Sequence, residues 1–261
     1  MSEAFTPPFD VRLMNATANV LLAAFCLAAL AALAQWAANH RMFAIEGVSV
    51  SGELVHNNAL TLRANVLPRL SGNFFTLDLA KARQAFETVP WVRRAVVQRV
   101  FPNRIAVQLQ EHQTVAYWGA DDGSQLLDRD GEVFEANVGE VEQEALPRLD
   151  GPPGQAAQVL AMYRALQPLF ASLELELEAL TLSRRGSWSA RLDSGAEVEL
   201  GGGSDDEVRA RTNRFLRTLT QVTSRYERRP DAVESADLRY ADGYALRLRG
   251  VSTVSGATQK K

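Results

Sequence analysis

From Leu13 to Asn39 the chain carries no Asp, Glu, Lys or Arg, a run of 27 residues whose middle, Val20 to Ala34, is almost wholly Ala, Leu, Val and Phe. About 20 apolar residues in a helix cross a hydrocarbon core of about 30 Å. The run therefore predicts a transmembrane helix over residues 16–38, preceded by a short tail, 1–15. Arg12 and Arg41 bracket it, and Trp36 falls where an aromatic ring meets the headgroups. Ala32-Leu33-Ala34 ahead of Gln35 has the small-x-small pattern of a signal-peptidase site, so a cleaved leader is the competing reading. The length of the uncharged run and its weak positive flank, Arg12 offset by Glu3 and Asp10, favour a retained anchor. Charge leaves the orientation undecided, because Arg12 and the amino terminus on one side oppose Arg41 on the other.

The remainder of the 261 residues reads as globular. Hydrophobic residues make up 46% and charged residues 23%, which excludes a disordered or collagen-like chain. A net charge of −3 gives no footprint for non-specific binding of nucleic acid or anionic lipid. The single cysteine, Cys26, lies inside the apolar run, so neither an intramolecular disulfide nor a cysteine metal site is expected.

Alternation with Phe43, Ile45, Val48 and Val50 predicts a strand over Phe43 to Gly52. Asn57-Asn58 opens a helix with Ala59, Leu62, Val66 and Leu70 on one face, ending near Ser71-Gly72-Asn73. Asp78 caps a second helix with Leu79, Ala82, Phe86 and Val89 inward, stopped by Pro90. Two strands follow across a Pro102-Asn103 turn: the first with Val92, Val96 and Val100 on one side, the second with Ile105, Val107 and Leu109. This β-α-α-β-β order over 43–112 is enough for a small domain.

Beyond Gln113, short strands recur at Thr114–Trp118, Gln125–Asp128 and Val133–Glu135, with Asp130-Gly131 as a hairpin signal. Leu146 to Gly154 reads as a Pro/Gly-rich connector, followed by a helix with Val159, Tyr163, Leu166 and Phe170 on one face. Strands return at Leu177–Ser183, Ser187–Leu192 and Ala196–Leu200. Ser204 with Glu207 makes a capping box for a helix whose inward stripe is Val208, Thr212, Phe215, Leu219, Val222 and Tyr226. Arg209, Arg214, Arg217 and Arg225 read as its solvated face. The last strands are Ala236–Tyr240 and Tyr244–Arg249, before a polar tail, 251–261. The fold class is thus α+β: one transmembrane helix, a small mixed domain, then a mostly antiparallel β domain with flanking helices over 113–250.

No catalytic constellation emerges. His40, His56 and His112 are scattered, and neither an H-E-x-x-H nor a G-x-S-x-G motif occurs. Gly201-Gly202-Gly203 precedes a helix, but Asp205, Asp206 and Glu207 would repel a phosphate there. No enzyme activity, cofactor, metal or small-molecule substrate is expected.

Several segments together are distinctive. Phe43-Ala-Ile-Glu-Gly-Val-Ser-Val-Ser-Gly52, Gly72-Asn-Phe-Phe-Thr-Leu-Asp-Leu79, Pro90-Trp-Val-Arg-Arg-Ala95, Arg99-Val-Phe-Pro-Asn103 and Glu111-His112 closely resemble the FtsQ/DivIB family of bacterial cell-division proteins. So do Leu146-Pro-Arg-Leu-Asp-Gly-Pro152, Ser183-Arg-Arg-Gly-Ser-Trp188 and Asp237-Leu-Arg-Tyr240, in the family's order. The resemblance implies a cytoplasmic amino terminus, one inner-membrane helix, a periplasmic POTRA domain and a β domain. It also implies a non-enzymatic scaffold at the division septum that binds FtsB and FtsL and helps control septal peptidoglycan synthesis. Other division proteins would meet the POTRA part.

A chain ending in a strand can present a sheet edge to a partner strand, and in the family FtsB is thought to add there. By the motif match the candidates are Tyr240 and the strand Tyr244 to Arg249, with Arg184, Arg185 and Trp188 nearby; Trp188 reads more simply as core. Arg247 and Arg249 would put positive charge on the edge for an acidic partner segment. A different POTRA-bearing protein of outer-membrane assembly or secretion is one alternative, although no barrel-like array of strands is visible, and a membrane-anchored enzyme is a second.

Overall fold

The computed structural model describes residues 9–38, 40–57, 62, 66, 68, 72–119, 124–141 and 146–251. The chain divides into two compact units after Glu111. The helix expected from Asn57 falls mostly outside the described residues; Leu62 and Val66 are helical and buried.

Helix α1, Phe9–Ala38, runs 30 residues, about 45 Å at 1.5 Å per residue. Its large apolar side chains, Leu21, Phe25, Leu30 and Trp36 among them, stay more than half exposed. The stretch Phe9–Trp36 is long and apolar enough to cross a membrane.

Among the described residues, the rest of unit 1 holds a three-stranded sheet in the order β1-β3-β2, from β1 (Gly47–Glu53), β2 (Val92–Val100) and β3 (Arg104–Glu111). β1 runs parallel to β3, and β2 antiparallel. Strand β1 starts later than the alternation suggests, since Phe43 closes a short 3-10 turn instead. Helix α2 (Leu79–Glu87) is capped by Asp78, whose carboxylate accepts from the backbone N–H of Ala80 and Lys81. Ala82 and Phe86 bury its inner face. In β3, Ile105, Val107 and Leu109 point inward as expected. In β2 the expected face is wrong beyond Val92. A bulge between Val92 and Arg94 reverses the parity, so Ala95 and Val97 pack inward while Val96 and Val100 are 42% and 43% exposed.

The inward parity of β3 continues to Glu111, a carboxylate only 8% exposed. One of its oxygens accepts from the N–H groups of Val55 and His56, the other from the N–H and side-chain amide of Asn57, all within 2.9–3.0 Å. The His56 ring stacks on Trp91, which takes a left-handed backbone conformation (φ 70°).

Among the described residues, unit 2 holds a nine-stranded sheet ordered β12-β11-β10-β9-β8-β7-β4-β5-β6. Its strands are β4 (Thr114–Trp118), β5 (Gln125–Asp128), β6 (Val133–Glu135), β7 (Arg148–Asp150), β8 (Leu177–Leu182), β9 (Ser187–Leu192), β10 (Glu197–Gly202), β11 (Val233–Asp237) and β12 (Ala245–Leu248). Five of the eight pairings are antiparallel; β10–β11, β4–β7 and β7–β8 are parallel. β7 replaces part of the expected connector. Three residues are too few to show a period, yet Leu149 sits fully buried between two parallel neighbours.

Helices α3 (Ala156–Ala171) and α4 (Asp205–Ser224) cover one face: α3 against β7 and β8, α4 against β10. Trp188, Ala190 and Leu192 of β9 join Leu166, Phe170, Phe215 and Leu219 in the core. Ser204 and Glu207 form the expected capping box. The buried stripe of α4 runs through Leu216 and ends at Thr223; Tyr226 lies past the helix end and is 48% exposed.

Candidate docking edge

Strand β12 is the outermost strand of its sheet, hydrogen-bonded to β11 on one side and to no described residue on the other. It is held by its inward side chains. Leu248 is buried, Leu246 packs on the core, and the Tyr244 ring just before the strand meets Phe215 edge-on at 5.0 Å. The Tyr244 hydroxyl lies 2.8 Å from the Thr218 hydroxyl on α4. These anchors fix the strand while its outer row of backbone N–H and C=O groups faces away, the geometry that accepts an added strand.

The register separates the sequence-derived candidates into two groups. β11 runs parallel to β10, so its end, the start of β12 and the β8–β9 turn all lie at one end of the sheet. Arg184 and Arg185, both exposed, occupy that turn, and Tyr240, 58% exposed, follows β11 at the same end. Arg247 sits midway along β12 on the outer face, its Nε 3.1 Å from the Glu234 carboxylate. Arg249 lies beyond β12 at the far end, where its guanidinium donates to the Ser194 carbonyl. Tyr244 is turned inward, and Trp188 is core at 2% exposure.

Beside Tyr240 opens a cleft of about 620 Å³ lined by Gly202, Glu207, Ala210, Arg211, Arg214, Arg239 and Ala241. Arg239 is clamped by Asp237 in two parallel bonds, Nε at 2.9 Å and a terminal nitrogen at 2.7 Å. That guanidinium holds the Asp237 carboxyl below its ordinary value, and the carboxylate in turn raises Arg239. Arg211 donates to the Gly202 carbonyl at 2.6 Å, and Arg214 to the Ala241 carbonyl. Gly201 makes this approach possible: at φ +80° it has no Cβ, and one built there would lie 3.0 Å from Cγ of Arg239 and 3.1 Å from a terminal nitrogen of Arg211. The Glu207 carboxylate is spent on the helix cap. Three guanidinium groups thus meet two carboxylates, Asp237 engaged by Arg239 and Glu207 by the helix cap, which leaves donors for an incoming acidic side chain.

Arg211 and Arg239 escape the sequence reading, and Arg214, which that reading assigns to solvent, lines the cleft with them. The position of Arg239 beside Tyr240 is the one usable signal. Elsewhere, His112, Asp128 and Glu132 bring potential metal-ligand atoms within 4.8 Å of one another. The Asp128 oxygens already accept from the Asp130 and Glu132 N–H groups and pair with the His112 ring at 2.8 Å, which makes them a turn-fixing set.

Comparison with known proteins matches residues 116–239 to a family described as the C-terminal part of the cell division protein FtsQ/DivIB. Residues 43–112 match the FtsQ-type POTRA domain. A cell division protein FtsQ of Burkholderia pseudomallei is 41% identical, covering 97% of this chain and 98% of its own length. Those of Thiomonas arsenitoxydans and Bordetella pertussis are 40% and 36% identical, over 94% and 92% of this chain and 89% and 92% of theirs.

Proposed function

The chain belongs to the FtsQ/DivIB family of cell-division proteins, and from that premise we propose that it is a non-catalytic docking platform of the divisome. The free outer edge of β12 carries the reading: it takes a strand of FtsB, and FtsL through it, by β-augmentation. Tyr240 packs on the added segment, and an acidic residue of the partner enters the arginine-lined cleft. Arg184 and Arg185 extend the positive rim at the same sheet end. Arg247 and Arg249 contribute less than the cleft, since Glu234 and the Ser194 carbonyl already engage them.

In this reading residues 1–15 are cytoplasmic and 16–38 span the inner membrane. Residues 43–112 form a periplasmic POTRA domain that meets other division proteins, 113–250 form the β domain, and 251–261 a tail. The platform sits at the septum and helps control septal peptidoglycan synthesis. A non-catalytic role agrees with the commitment of His56 and His112 to structural carboxylates.

Capture of purified FtsB by the full-length protein in detergent tests the site. The parent protein should retain FtsB and the Tyr240→Glu variant should not. Equal capture by both would remove Tyr240 from the interface.

A further inference from the structure

The sheet of unit 1 has two unlike ends. At one end β1 finishes, β2 begins and the Glu111 carboxylate is ringed by N–H donors. At the other, β1 and β3 start and β2 stops, and this is the end that the chain enters from α1. There an aromatic tip forms. The Phe43 ring meets Phe75 edge-on at 4.8 Å, Phe75 meets Phe74 at 5.2 Å, and Phe74 meets Phe101 at 6.1 Å. The tip is rigidly built. Phe74 N–H donates to the Phe43 carbonyl, and Arg99 donates to the carbonyls of Phe74 and Leu77, tying the turn to the end of β2.

This construction buries Phe74 and half-buries Phe43 while turning Phe75 and Phe101 outward. Phe101 is 73% exposed, Phe75 50%, and neighbouring Met42 and Val100 are exposed as well. A lone exposed apolar side chain needs no explanation, but a braced cluster of them does. From Ala38, the last residue of α1, to Phe43 is five residue steps, no more than about 18 Å even fully extended. The 3-10 turn Arg41–Phe43 shortens that reach further. The headgroup layer beyond the hydrocarbon is about 5–8 Å deep on each side, and aromatic rings settle there. The tether therefore keeps the rings beside the bilayer surface, which makes lipid their nearest apolar neighbour.

We propose that the aromatic tip built from Phe43, Phe74, Phe75 and Phe101 docks the POTRA domain onto the lipid surface, with Phe75 and Phe101 seated at the headgroup–acyl boundary. Docking rests on α1 spanning the membrane. It is driven by the exposed rings, not by net charge. It makes the three-stranded sheet a stand about 26 Å tall by the length of the eight-residue β3, with the Glu111 carboxylate at its far end.

The test uses the full-length protein in nanodiscs of phosphatidylethanolamine and phosphatidylglycerol. A nitroxide is attached at Phe101→Cys, Phe75→Cys or, as a mid-sheet control, Val96→Cys, each on a Cys26→Ala background. Collision with oxygen relative to a water-soluble nickel chelate should be several-fold higher at 101 and 75 than at 96. Ratios at 101 and 75 equal to that at 96 would overturn the docking. A nitroxide on native Cys26 in the parent chain separates the two readings. Cys26 shielded from nickel with 101 and 75 open to it sinks the docked tip alone, whereas Cys26 open to nickel sinks the span and the docking with it.

Discussion

The imidazole of His56 lies flat on the indole of Trp91, ring centroids 3.8 Å apart and planes 6° from parallel. Glu111 holds the same histidine from the side, 3.4 Å from its Nδ1, and the Asn57 amide reaches the Pro90 carbonyl. Stack, carboxylate and amide together lock the segment after β1 to the start of β2 and the end of β3. Glu111→Gln would replace one acceptor oxygen by a donor facing buried N–H groups. It should destabilise unit 1 by about 2–4 kcal/mol, read as a lowered urea midpoint with the unit 2 transition unchanged.

Acid should release the same lock. Burial by itself raises the Glu111 carboxyl, but the hydrogen bonds from His56, Val55 and Asn57 outweigh it and hold the group below its ordinary 4.5. A carboxyl lowered by folding binds fewer protons in the folded chain than in the unfolded one. Its contribution to stability is therefore complete above 4.5 and is lost as pH falls through the lower folded value. Asp128 follows the same sign below 3.8, burial again being outweighed by bonds from Glu132, His112 and Asp130. Urea midpoints should thus fall below about pH 4.5 through these groups, and Glu111→Gln should flatten that fall for unit 1.

The cleft separates binding from stability. Arg239 is largely exposed, so Arg239→Ala should leave the melting temperature nearly unchanged while lowering affinity for an acidic partner strand tenfold or more at low salt. Gly201→Ala should do both, because strain at its positive φ costs about 1–2 kcal/mol and the added methyl displaces Arg211 and Arg239. Calorimetric titration at two ionic strengths, paired with thermal melts, distinguishes the two variants.

Two positions in unit 2 calibrate its framework. Trp188→Ala empties the centre of the sheet–helix core and should cost about 3–5 kcal/mol. Ser204→Ala removes the side-chain half of the capping box and should cost about 1 kcal/mol. Both are measured by chemical unfolding, and the order of the two is the expectation at stake.

Much of this framework is legible in the residues because local chemistry carries it. Asp130-Gly131 marks the β5–β6 hairpin, Ser204 with Glu207 marks the start of α4, and Asp78 marks that of α2. What escapes is set by neighbours distant in sequence. The bulge at Val92–Arg94 turns a correct strand inside out, and β7 exists only because β4 and β8 flank it. The arginine cleft is hidden for the same reason: Arg211 lies on the crossover helix and Arg239 after the strand it leads to, each an ordinary surface charge until β11 returns beside β10. Glu111 was readable in principle, since the inward parity of Ile105, Val107 and Leu109 leads directly to it.

The crossover makes the proposed docking edge the last part of the sheet to be laid down. The chain leaves β10, travels along α4 and only then lays down β11 and β12. A chain stopped before Val233 would leave β10 outermost, offering the carboxylates of Glu197 and Glu199 and lacking both Tyr240 and Arg239. An acidic strand that seeks guanidinium groups would be repelled by such a fragment. On the docking proposed above, a partner would join only molecules whose synthesis has run past the final ribbon.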